Sequence, residues 1–138
     1  MAAIGIEQFK KLSKFTKKRQ DLAKRYDQIL LKNKNIYIFS RDYNFIVPHI
    51  YVVRIYGLKN RVKLREDLLA LNVQTGVHYQ PNHKLSFFRF FITLNLSITE
   101  ELYPELLSLP LHYDLTENDI NEVANKLGTL LDNKIYYT

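Results

Sequence analysis

The sequence contains no cysteine, and its four glycines stand alone at Gly5, Gly57, Gly76 and Gly128. Without cysteine there is no thiolate nucleophile, iron–sulfur cluster or cysteine-ligated zinc, and a reducing cytoplasm is the simplest compartment. Isolated glycines exclude a phosphate-cradling loop, and with it nucleotide binding through a P-loop or a Rossmann turn. A serine-nucleophile elbow and an H-E-x-x-H zinc helix are missing as well. The apolar stretches are short and interrupted, so no membrane span is expected. The first residues do not show the basic segment, apolar run and cleavage site of a secretory signal.

What is present reads as one soluble domain over residues 1–138, with 46% hydrophobic and 25% charged residues. A chain of this length buries about two-thirds of its unfolded surface and needs no disulfide or structural metal. The formal charge of +6 is unevenly spread: residues 1–34 carry ten Lys or Arg against three acids, and residues 35–138 carry ten against eleven. All the excess lies in the first segment, where lysines interleave with apolar residues at helical spacing. That pattern suits the solvated face of a helix better than a phosphate-backbone site.

Periodicity predicts the elements. Phe9, Leu12, Phe15, Leu22, Tyr26 and Ile29 recur every three or four residues, predicting one amphipathic helix over 4–31. Residues 36–39 and 49–56 are rich in β-branched and aromatic side chains and read as strands, separated by a loop that Pro48 closes. Asn60 is placed to cap a helix whose Leu64, Leu68 and Leu71 share a face. Residues 73–79 read as a short strand, and 107–111 as another. Ser97 and Glu100 have capping-box spacing ahead of a helix that Pro104 kinks or shortens. Thr116 and Asp119 form a second box, followed by Ile120, Val123, Ala124, Leu127, Leu130 and Leu131 on one stripe. The fold class expected is α+β: a small, mostly antiparallel sheet with helices packed over it and a long N-terminal helix.

The side chains with versatile chemistry gather in G-V-H-Y-Q-P-N-H, residues 76–83. His78 and His83 are five apart across Pro81, which is not the spacing of a helical metal pair, so no metal ligand is assigned. An imidazole, a phenol and the Asn82 amide on irregular backbone suit recognition of a sugar, carboxylate or phosphate. A packed structural loop explains the same composition. Phe87, Phe88, Phe90 and Phe91 around Arg89 read first as core or subunit interface and second as a base-stacking platform.

In order, the segments 2–30, 49–55 (HIYVVRI), 73–89 (VQTGVHYQPNHKLSFFR) and 98–127 resemble the C-terminal portion of the DegT/StrS-type sugar aminotransferases. The most specific stretches are 76–83 and L-S-L-P-L-H at 107–112 with D-L-T-E-N-D-I at 114–120. The resemblance implies the small C-terminal domain of a fold-type-I, pyridoxal-phosphate-dependent enzyme that moves an amino group from glutamate to a keto-sugar on a nucleotide. It also implies that the Schiff-base lysine, the acid on the pyridine nitrogen and the phosphate-binding residues belong to a larger N-terminal domain upstream of this chain. None of the 13 lysines matches the Schiff-base motif. Carry-over is limited to His78, Tyr79 and His83, at family positions near the nucleotide-sugar or subunit boundary. Ser97, Pro104 and the aromatic run 90–94 depart from the family pattern.

The expectation is therefore a C-terminal domain, or truncated product, of a cytoplasmic nucleotide-sugar aminotransferase of surface-polysaccharide or amino-sugar biosynthesis. It has no catalytic, cofactor or metal residue of its own, is inactive alone, forms a homo-oligomer, and takes pyridoxal phosphate only in the complete enzyme. One rival is a free-standing binding or regulatory module that pairs with a separate cofactor domain. The other is a small basic nucleic-acid-binding protein, which would show steeply salt-dependent binding.

Overall fold

The C-terminal helix forms where cap and stripe coincide. In the computed structural model, which describes residues 2–88 and 96–138, Thr116 Oγ1 accepts from the Asp119 amide at 3.2 Å and Asp119 Oδ2 accepts from the Thr116 amide at 2.7 Å. Ile120, Val123, Ala124, Leu127 and Leu131 are buried along the helix that follows, Glu117–Leu131. The cap contributes about 1 kcal/mol, whereas each fully buried aliphatic side chain contributes roughly 1.5–3 kcal/mol, so packing decides where the helix lies.

The elements run α1 (Ala2–Lys10), α2 (Leu12–Leu30), β1 (Ile36–Ile38), β2 (Tyr51–Ile55), α3 (Arg61–Ala70), α4 (Ser97–Leu102), β3 (Leu106–Leu109) and α5 (Glu117–Leu131). The expected small α+β sheet-and-helix fold is observed. The strands lie in the order β1-β2-β3, all antiparallel, with Ile36 opposite Ile55 and Tyr51 opposite Leu109. Tyr51, Val53 and Ile55 are fully buried while Val52 and Arg54 between them are half-exposed. One face of the sheet thus joins the core made by α2, α3 and α5, and the other stays partly open. On the open face Arg54 Nε donates to Glu105 Oε2 at 2.5 Å.

The 39–50 connection is tied down by polar contacts. Asp27 on α2 accepts from the hydroxyls of Tyr43 (2.6 Å) and Tyr51 (2.5 Å) and lies 3.4 Å from Arg41 Nη1. Gln20 Nε2 donates to the carbonyls of Tyr43 and Ile46. Burial first, then the Asp27 carboxylate, pushes both tyrosine hydroxyls far above their ordinary value.

Four expectations need correction. The first helix divides at Lys11, and the side chains it buries are Leu22, Ala23, Tyr26 and Leu30. Ile4, Ile6, Phe9 and Leu12 are exposed, because α1 has no buried position to hold it in line with α2. Residues 73–79 make no strand. They make a single bridge, in which Gly76 and Ser108 exchange backbone hydrogen bonds of 2.9 Å, and irregular chain follows. The Ser97 capping box does not form. Leu96 occupies the cap position without a side-chain bond, and Glu100 is engaged elsewhere. Leu71 ends α3 rather than sharing its buried face and is 40% exposed. Pro104 shortens the fourth helix as expected, with a 3-10 turn at Tyr103–Glu105.

Candidate functional site

The bridge between Gly76 and Ser108 sets the geometry of the loop 76–83. Directly after it, the His78 ring folds back so that Nδ1 lies 2.9 Å from Ser108 Oγ. The ring also covers Gly76: a Cβ at that position would sit 2.6 Å from His78 Cε1. Only glycine lets the imidazole come this close. Tyr79 projects into solvent, 76% exposed, with its ring edge-on to His78 at 5.0 Å.

His83 sits apart from this pair. It lies on a 3-10 turn, Asn82–Lys84, and its Nε2 donates to Glu100 Oε1 while Lys84 pairs with the other carboxylate oxygen. The hydrogen bonds from Lys84 and then His83 hold the Glu100 carboxyl below its ordinary value. Lys84 also reaches over the Tyr103 ring, which Arg61 covers at 4.4 Å. The acid read as half of a capping box is thus a clasp for the loop, and its partners lie too far off in sequence for local spacing to reveal it.

His78 faces a cleft of about 340 Å³ that also includes His49, Thr75, Gly76, Ser108 and the apolar run from Leu109 to Leu111. His49 was not singled out by spacing. The sequence places it as the first residue of the strand 49–56, and the structure begins that strand at Tyr51. Among the described residues no Lys, Arg, Asp or Glu lines the cleft, and the polar chemistry they bring is imidazole, hydroxyl and amide. Tyr79 and His83 are not part of that lining. Of the aromatic cluster, Phe87 and Phe88 stand edge-on at 5.1 Å, and Arg89, Phe90 and Phe91 lie outside the described residues.

The basic helix carries its charge in pairs and over aromatic rings. Lys10 pairs with Glu7 and Lys17 with Asp21, while Lys14 and Lys18 approach the face of Tyr113. A groove beside Tyr113 also contains Asp21 and Glu117, which offset its lysines. Among the described residues no three His, Asp or Glu side chains converge as metal ligands.

Residues 1–128 match the family described as the DegT/DnrJ/EryC1/StrS aminotransferase family. The chain belongs to this family. Among its relatives, a UDP-4-amino-4,6-dideoxy-N-acetyl-beta-L-altrosamine transaminase of Campylobacter jejuni is 28% identical over 134 residues, covering 94% of this chain and 36% of the relative. The spore coat polysaccharide biosynthesis protein SpsC of Bacillus subtilis is 27% identical over 138 residues with the same coverage. The aminotransferase TlmJ of Streptoalloteichus hindustanus superposes with a TM-score of 0.80 at 27% identity, over 95% of this chain and 35% of TlmJ. PseC of Helicobacter pylori, at 23% identity and a TM-score of 0.79 over 94% of this chain and 36% of PseC, shares the fold. The chain spans about a third of the length of the curated relatives it matches.

The family implies pyridoxal phosphate in the complete enzyme, and the described residues of this domain do not fit that group. Every lysine is at least partly exposed, whereas an activated lysine is held in a desolvated pocket. Two helix N-termini of the kind that receive a phosphate elsewhere are occupied by the chain's own side chains, Asn60 on α3 and the Thr116–Asp119 pair on α5.

Proposed function

We propose that this chain supplies the small C-terminal domain of a pyridoxal-phosphate-dependent nucleotide-sugar aminotransferase, with the loop 76–83 turned toward the nucleotide-sugar. The observation that carries the reading is the family match over residues 1–128, on a chain that spans about a third of its relatives. In the complete enzyme the amino group of glutamate passes to a keto-sugar, with the cofactor supplying the electron sink. This domain's part is to bind and orient. His78 offers a ring nitrogen at the cleft, Tyr79 an exposed phenol, and His83, braced by Glu100, fixes the course of the loop between them.

The same reading makes the domain cytoplasmic, in line with its lack of cysteine, and self-associating. Support for association is the exposed apolar stripe on α1, where Ile4, Ile6 and Phe9 are 59–74% exposed, more than an isolated surface helix ordinarily shows.

The test uses a complete homologous enzyme that carries residues 76–83. His78→Ala and Tyr79→Ala are expected to lower kcat/KM by roughly tenfold or more, Tyr79→Ala with the thermal midpoint almost unchanged and His78→Ala with the modest loss that unpairing Ser108 brings. Normal turnover combined with a large loss of stability makes the loop structural. A second reading, a free-standing module with a separate cofactor-bearing partner, is selected by co-purification of a second chain that contains the cofactor lysine.

A further inference from the structure

The polar groups around His78 determine which of its nitrogens carries the proton. Ser108 is 4% exposed, and its backbone N–H and C=O are both used in the bridge to Gly76. Its hydroxyl therefore has to place its own proton somewhere, because a buried donor left unpaired costs about 1–3 kcal/mol. Among the described residues the one side-chain acceptor in reach is His78 Nδ1, at 2.9 Å. If Nδ1 carried the proton and donated it to Ser108 Oγ, the serine proton would have no protein acceptor among the described residues. If Ser108 donates, both groups are satisfied and the neutral ring carries its proton on Nε2.

We propose that Ser108 and Gly76 are positioning residues that hold His78 as the Nε2–H tautomer, presenting a neutral hydrogen-bond donor to an acceptor oxygen of the ligand. Gly76 contributes by the absence of a side chain, since a Cβ there would push the ring edge off from 2.6 Å. Nε2 has no hydrogen-bond partner among the described residues. With no fixed charge lining the cleft among the described residues, the oxygen that suits this donor is a carbonyl or hydroxyl rather than a phosphate, which favours Arg or Lys. The role toward a ligand rests on the loop reading above; the tautomer does not.

The chain has four histidines, so its ring-nitrogen signals are resolvable by long-range proton–nitrogen spectroscopy of the full chain labelled in histidine, above the range where imidazoles titrate. The expected result for His78 is a single tautomer, protonated at Nε2 and bare at Nδ1. Free histidine in the same buffer serves as the averaging reference. In Ser108→Ala and in Gly76→Ala the His78 signals move toward that average while those of His83, clasped by Glu100, stay in place. Gly76→Ala decides the matter if Ser108→Ala does not fold. A His78 ring protonated at Nδ1, or one that averages like free histidine, or one indifferent to both substitutions, overturns the proposal. No substrate is present in the measurement, so the tautomer stands or falls independently of what the loop binds.

Discussion

The Tyr51 hydroxyl donates to Asp27 at 2.5 Å, joining the first residue of the central strand to the helix 24 residues earlier. Around that bond Tyr26 stacks on Tyr51 at 4.6 Å and the Arg41 guanidinium lies over the Tyr51 ring at 4.4 Å. The cluster holds the 39–50 connection, and through it the approach to His49, in one conformation.

Asp27→Ala is expected to destabilise the domain by about 3 kcal/mol, the low end for breaking a buried ion pair, because the Asp27 side chain keeps 22% of its exposure. Urea unfolding measures it. A change below about 1 kcal/mol, the size of a surface pair, means that the cluster is ornamental.

Stability falls at high pH. Burial and then Asp67 push the Tyr136 hydroxyl up to about 12 from its ordinary 10.0, and Tyr26, Tyr43 and Tyr51 are raised further. The unfolded chain releases these protons near pH 10 and the folded chain holds them, so the stabilisation is complete below that pH and is lost as pH rises through the folded values. Thermal midpoints recorded from neutral pH upward are expected to drop beyond pH 10, and Tyr136→Phe removes part of the slope. A flat profile contradicts the burial of these hydroxyls.

Thr116→Ala removes one half of the capping box on α5 and is expected to cost about 1 kcal/mol. Ser97→Ala, at the box that does not form, is expected to leave the unfolding midpoint unchanged. Equal effects from the two substitutions contradict the difference between the helix starts.

Borohydride reduction of the chain with pyridoxal phosphate and glutamate, followed by peptide mapping, is expected to label several exposed lysines, among them Lys11, Lys14 and Lys24. No turnover accompanies it. Stoichiometric label at one lysine together with amino transfer overturns the assignment of cofactor chemistry to another domain.

Local signals were legible where neighbours in sequence are also neighbours in space. The Thr116 box and the stripe behind it lie within one helix, and β2 reads from its own composition. The loop histidines were legible as candidates but not in their roles. Residues 73–79 look like a strand by composition, yet only Gly76 meets a partner, because Ser108 comes from the far side of the chain and the backbone then turns away. Glu100 was misread for the same reason: His83 and Lys84 compete for it from 16 or more residues off, and a cap needs only three. His49 reaches the cleft through strand pairing, which no motif encodes.

The pairing of α2 with α5 has a consequence for synthesis. Tyr26 donates to the Pro110 carbonyl 84 residues later and Arg25 to Asn121 96 residues later. During translation α2 therefore emerges with the part of its face that Pro110 and Asn121 meet still open, and that part closes only after these residues have left the ribosome.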